Sequence, residues 1–207
     1  MEKVNTKELI LDVAEKLFAQ LGFDGTSTRN ISTEAGVNMA MLNYYFGSKE
    51  GLFIAVLQKK LEASGSTLRS INQDSISSWE KMEKCIDGYV DRIMADSNFH
   101  KMMYRELSLP QRSLVSSSIV EILSNNIQEV KKIIYDGIDN GSFNNVDIDL
   151  MVSTLIGTNV YVVNSPHMAS IILGKETNAT ILSSELNPRL KLHFKNIFKA
   201  YLIKGDA

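Results

Sequence analysis

The chain has 207 residues, 44% of them hydrophobic and 22% charged, and its 22 Lys and Arg against 24 Asp and Glu leave a net charge of −2. Such fractions exclude disorder over most of the length and suit one domain, or a small domain joined to a larger one. Three Pro and 12 Gly favour long helices, and the single Cys85 with three scattered histidines excludes an internal disulfide and a Cys/His zinc site.

Met1 runs straight into Glu2 and Asn5 without an apolar signal core. Asn159, Asn164, Pro166 and His167 interrupt the most apolar stretch, 151–173. The expectation is therefore a cytoplasmic chain with no membrane partner.

Ile10, Val13, Ala14, Leu17, Phe18 and Leu21 mark one face of a first helix at a 3.6-residue period. Asn5 is placed to cap it, with Glu8 three residues on to reach back to the cap amide, and Gly22 to end it. Within Thr26-Ser27-Thr28 lies the next cap, for a short helix with Ile31 and Ala35 on its buried edge. Gly36-Val37-Asn38 interrupts, and Asn38 caps a third helix, Met39 to Phe46, with Leu42 and Phe46 inward at i, i+4. Gly47 ends it, and Ser48 caps a fourth helix carrying Leu52, Phe53, Val56 and Leu57. The second and third helices, joined by a tight glycine turn, make a helix-turn-helix pattern.

Beyond residue 65, Ser/Asn-rich linkers fall near 72–78, 96–98, 108–113, 140–147 and 174–187. Between them the spacing predicts helices at about 79–95, 99–108, 114–139, 148–173 and 188–203, the last with Asn187 as cap and Pro188 behind it. No internal repeat and no long period-2 run occurs. The class is all-α, with about nine helices.

If Leu42 and Phe46 face inward, the third helix presents Met39, Ala40, Asn43 and Tyr44, with Met41 and Tyr45 on the flanks. Asn can bond base edges, Ala and Met can touch a thymine methyl, and Tyr hydroxyls can bond phosphate oxygens. Thr28 and Arg29 open the preceding helix, where free amides suit a phosphate, and Lys49 opens the following one. Between Ala35 and Lys49 there is no acid to repel DNA. Bulk charge gives no such indication, since a nucleic-acid binder is usually strongly basic.

The run Thr28-Arg29-Asn30-Ile31-Ser32-Thr33-Glu34-Ala35-Gly36-Val37-Asn38, followed by Leu42, Tyr44, Phe46 and Gly47-Ser48-Lys49-Glu50-Gly51-Leu52-Phe53, resembles the TetR family of bacterial transcriptional regulators. Ala14, Phe18, Gly22, Phe23 and Thr26 match the family's first helix and turn, and Tyr104-Arg105-Glu106-Leu107 with Pro110 is similar to a stretch in some members. The resemblance implies a three-helix DNA-binding head at 1–48 and an antiparallel helical bundle at 49–207 for ligand binding and dimerisation. It places DNA contacts at Thr28, Arg29, Asn38, Met39, Ala40, Asn43, Tyr44, Tyr45 and Lys49. The chain departs from the family's habits at Met39 and Met41, at Asn43 where tyrosine is frequent, and at Tyr45 where histidine is frequent.

The resemblance also implies a small-molecule pocket lined by Trp79, Met82, Tyr89, Met103 and Tyr104, although Met and aromatic residues at helical spacing also build plain cores. It implies a homodimer through a four-helix interface, for which Ile148, Met151, Leu155, Val162, Leu190, Phe194, Ile197, Phe198 and Tyr201 offer apolar stripes. The expected function is that of a repressor on a palindromic operator, released by a small molecule. No cofactor is expected. No nucleophile, base or metal set converges, which disfavours an enzyme; a helical adaptor protein remains compatible with the low charge. Cys85 reads as a small buried hydrophobe, and the lysines at 59–60 and 131–132 as solvated helix faces.

Overall fold

The computed structural model describes residues 5–109, 113–174 and 182–203. Linker residues 110–112 and 175–181, Pro110 among them, and the first four residues lie outside the described residues. Among those described there are ten α-helices and no strand. They are α1 (Thr6–Gly25), α2 (Thr28–Glu34), α3 (Met39–Phe46), α4 (Lys49–Gln73), α5 (Ser78–Ala95), α6 (Ser97–Leu107), α7 (Ser113–Asp139), α8 (Ile148–Asn164), α9 (Pro166–Leu173) and α10 (Asn187–Leu202). A single π turn, Leu182–Leu186, leads directly into α10.

The tenth helix arises where the sequence predicts one run over 148–173. Ser165 takes φ −122°, ψ 58° and Pro166 follows it, so α8 stops and α9 begins. Proline supplies no amide and disfavours helical geometry in the residue before it. The start of α10 also differs from expectation. Asn187 is already helical and its side-chain amide donates to Asp91 Oδ1 at 2.8 Å, so it makes no cap.

The chain divides into two compact units, 1–63 with 98–123, and 64–97 with 124–207. In the first, Ile10, Ala14 and Phe18 of α1 are fully buried with Ile31, Leu42, Leu52, Phe53, Leu57 and Ile119. The Phe18, Phe23 and Phe53 rings meet at 4.9–5.8 Å, two of the three contacts edge-to-face, a favoured aromatic geometry. Leu21, expected on the buried face, is half exposed. Backbone φ turns positive one residue later at Gly22, and Phe23 takes the inward place.

Asn5 caps α1, accepting from the Lys7 amide, but Glu8 does not close a capping box. Its carboxylate pairs with Lys59 Nζ at 2.6 Å, and Asp12 joins at 2.9 Å. These bonds raise the Lys59 pKa above its ordinary value. Lys60 pairs with Glu15 at 2.8 Å, so both lysines tie α4 to α1 rather than simply facing solvent. Lys131 likewise pairs with Asp149, and Lys132 with Asp136.

Ser48 caps α4, its hydroxyl oxygen accepting from Gly51 N–H at 3.0 Å. Gly51 is where α4 starts against the end of α3. A Cβ there would overlap the Phe46 carbonyl oxygen.

The second unit packs α5, α8 and α10 with the ends of α4 and α7 around Met82, Ile86, Val90, Ile134, Leu155, Phe194 and Phe198. Lys195 bonds Asp87 at 2.8 Å and Lys191 bonds Asp91 at 2.6 Å, joining α10 to α5. The stripes expected to face a second subunit go mainly into this core: Ile148, Met151, Leu155, Val162, Leu190, Phe194 and Phe198 are buried within the unit. Ile197 is half buried, and Tyr201 stays exposed. An apolar stripe first satisfies its own bundle, and what remains open lies on the adjoining flank.

Cys85 sits in this core, where burial pushes its thiol up to about 12. Only the thiolate reacts readily, so native protein at pH 8 should leave a disulfide reagent unreacted. One equivalent should be released on denaturation; rapid labelling of the folded chain would contradict the burial. Gly51→Ala should destabilise by about 1–3 kcal/mol through overpacking, read as a drop in Tm of several degrees in a thermal melt.

Candidate nucleic-acid interface

Local chemistry builds the head's second half. The Ser27 hydroxyl oxygen accepts from Asn30 N–H at 3.0 Å and starts α2, which buries Ile31 and Ala35. Gly36, at φ 63°, then reverses the chain in a conformation that costs other L-residues energy. Val37 N–H closes the turn onto the Ser32 carbonyl at 3.0 Å. Asn38 is extended, and its Oδ1 accepts from Ala40 N–H at 2.9 Å, so α3 starts capped. That bond uses the Asn38 oxygen and leaves its amide hydrogens available to a partner.

Among the eight residues of α3, Leu42 alone is fully buried. Phe46 is half buried. The opposite face lies open: Met39 is 43% and Tyr44 84% exposed, and Ala40 and Asn43 are exposed beside them, with Met41 and Tyr45 on the flanks. The Asn43 carboxamide is uncommitted among the described residues. Tyr44 and Tyr45 meet edge-to-face at 5.2 Å, which restrains both rings.

Thr28 and Arg29 stand in the first turn of α2, Arg29 exposed and Thr28 partly covered. Thr28 Oγ1 lies 3.9 Å from Met39 Sδ, a weak contact that joins the two helix starts. Lys49 is half buried, its Nζ 4.3 Å from the centre of the Phe23 ring. A cation over an aromatic face is attracted by ~0.5–1 kcal/mol at open sites, little enough for an anion to draw it away. All nine residues expected at DNA thus lie within the first unit.

The five residues expected at a ligand are not brought into one unit. Met103 and Tyr104 belong to the first, Met103 fully buried. Trp79, Met82 and Tyr89 belong to the second, Met82 fully buried and the other two packed half-buried against its core. Arg92, which the sequence reading passed over, carries its guanidinium 5.9 Å from the Tyr89 ring centre. Burial lowers its pKa, though a guanidinium remains protonated. Its i+3 spacing from Tyr89 was the available signal, but an arginine on an amphipathic helix ordinarily reads as solvated.

The second unit also holds a cavity of about 540 Å³ between α8, α9 and α10, lined by Tyr161, Val162, Ile172, Leu190, Leu192 and His193 among others. Ile172 is 68% exposed, and Ile171, Met168, Leu192 and Tyr201 are open as well. No helix among the described residues is long and apolar enough to cross a membrane.

A family model for bacterial regulatory proteins of the tetR family matches residues 10–56, and one for a tetracyclin repressor-like C-terminal domain matches residues 79–187. The probable HTH-type transcriptional regulator YttP of Bacillus subtilis is 33% identical over 134 residues, covering 63% of this chain and 62% of that protein. HTH-type transcriptional regulator RutR of Escherichia coli is 43% identical over 68 residues, 33% of this chain and 32% of RutR. In both comparisons the chain spans less than two thirds of the relative's length. The transcriptional regulator FadR from Bacillus subtilis, solved in complex with stearoyl-CoA, superposes with a TM-score of 0.69 at 21% identity, over 88% of this chain and 96% of that one, a likeness of fold. With the head matched by one family model and more than half of its length by the other, the chain belongs to the TetR family of bacterial regulatory proteins.

Proposed function

We propose that the chain acts in the bacterial cytoplasm as a homodimeric transcriptional repressor that binds a palindromic operator in double-stranded DNA and leaves it when a small molecule binds. The observation that carries this reading is the open, uncharged face of α3, held outward by Leu42. The relatives named as transcriptional regulators support it. In this reading residues 1–48 are the DNA-reading part and 49–207 the ligand-binding and dimerising part. The packing unit around the head is larger, because α4, α6 and α7 complete its core.

Met39, Ala40, Asn43, Tyr44 and Tyr45 would enter the major groove, Asn43 at a base edge and the tyrosines at phosphates. Thr28, Arg29 and Asn38 would hold one backbone strand, and Lys49 the other after leaving Phe23. One helix of eight residues makes few base contacts. Two heads on half-sites about 34–36 Å apart, or a multiple of that, double them. The open apolar flank of Tyr161, Met168, Ile171, Ile172, Leu192 and Tyr201 is the surface we assign to the two-fold contact.

Ligand and DNA would compete through α4, one unbroken helix of 25 residues that begins at the head and ends at Gln73. If ligand favours one inclination of α4 and DNA another, each weakens the other equally, by ~1–3 kcal/mol in typical cases. Trp79 and Tyr89 are the residues we assign to first ligand contact. Met82, buried in the same unit, would yield space as the helices adjust. The stearoyl-CoA bound by the FadR neighbour supports an amphiphilic, anionic ligand, which Arg92 beside Tyr89 would suit.

Sequencing of DNA fragments that co-purify with the protein should return a shared palindromic site, retarded in an electrophoretic shift that unlabelled site, but not random DNA, competes away. Retention of all fragments alike would overturn the regulator reading. Lys49→Ala should weaken operator and random DNA equally and lower the slope of log K against log salt by about one. Asn43→Ala should cost ~1–3 kcal/mol, mainly against one base pair, in titrations on single-base operator variants.

A further inference from the structure

The first unit carries a second concave surface, away from the open face of α3. A hollow of about 260 Å³ lies between the end of α1, residues 18–23, and α6, residues 98–106. Phe18, Phe23 and Met102, all buried, make its apolar floor. Lys101 and Arg105 stand one helical turn apart on its α6 wall, and Gln20 lies on the α1 wall.

These polar groups are uncommitted. Neither Lys101 nor Arg105 is paired with a carboxylate among the described residues, and the Gln20 and Asn98 carboxamides make no hydrogen bonds there. Elsewhere lysines that meet a neighbouring helix are paired, as Lys59, Lys131 and Lys195 are. Like charges at i, i+4 disfavour the helix that carries them, so Lys101 and Arg105 hold α6 best when an anion lies between them.

We infer that this hollow binds a small organic carboxylate with an apolar body. The Arg105 guanidinium offers a planar fork that matches a carboxylate, Lys101 adds a second cation, and Gln20 and Asn98 supply amide donors. The apolar body would rest on Phe18 and Met102. The volume falls just below the ~300 Å³ at which drug-sized sites begin, which sets the ligand's size as one ring or a short chain. The two coplanar oxygens of a carboxylate match the Arg105 fork edge to edge, which favours it over a tetrahedral phosphate. Phe23 links the hollow to the head, since its ring stacks on Phe18, meets Phe53 and carries the Lys49 ammonium.

Calorimetric titration of the full chain with benzoate, phenyl phosphate and benzamide tests this inference without reference to DNA. Benzoate should bind saturably with one site per chain, and benzamide at least tenfold more weakly. Arg105→Gln and Lys101→Gln, which remove charge and keep a polar side chain, should each weaken benzoate severalfold and together at least tenfold, with a thermal melt of the ligand-free chain no lower than that of the unaltered one. Absence of saturable binding up to millimolar benzoate would overturn the site, as would equal affinity in the double variant or for benzamide. Tighter binding of phenyl phosphate would overturn the carboxylate assignment.

Discussion

An eight-residue helix does not persist by itself in water, because fixing the first turn consumes more conformational entropy than so few hydrogen bonds return. The helix α3 therefore exists through what holds it: Leu42 buried in the first unit, the Asn38 cap at one end and the Gly47-Ser48 junction at the other. The same constraint decides which face is open. With Leu42 inward, Met39, Ala40, Asn43 and Tyr44 can point only outward. The open face is in this sense a by-product of packing, and the supports extend well past the helix itself, to the phenylalanine cluster and the close approach of Gly51 to the Phe46 carbonyl.

Charge in this molecule is arranged locally. The net charge of −2 would repel a polyanion if spread evenly. Around α3, however, no acid occurs from residue 36 to 48, and Glu8, Asp12 and Glu15 of α1 are engaged with Lys59 and Lys60. Lys49, the first residue of α4, is lightly held over Phe23. At distances beyond a Debye length of roughly 8–10 Å, salt screens the remaining carboxylates. An uncharged stretch thus stands open on an otherwise slightly acidic protein.

In the second unit, helices α8 and α10 are apolar on two flanks rather than one. One flank fills the unit's own core through Leu155, Val162, Phe194 and Phe198, and the other leaves Tyr161, Leu192 and Tyr201 in the open. A wide apolar surface of this kind is uncommon on a monomer without a function. Paired lysines and aspartates pin α10 to α5 along its polar edge, which keeps the open flank turned consistently one way.

Short-range order was legible in the residues themselves. The 3.6 spacing of Ile10, Ala14 and Phe18, the caps at Asn5, Asn38 and Ser48, and the turn at Gly36 each depend on atoms within about four positions, and the motif they form carries the family resemblance. Longer-range outcomes were not legible in that way. Glu8 turned from its own helix end to Lys59, 51 positions on, and Asn187 to Asp91, 96 positions back. Leu21 lost its place inside to Phe23, the stripes of α8 and α10 went to their own core, and Lys101 with Arg105 came to face the end of α1. Amino-acid order settled the class of the fold and which residues α3 carries, because helix periodicity and capping are local. Which apolar flank is buried, which charges are neutralised and where a hollow opens depended on competition among distant partners, and only the folded chain brings those partners within reach.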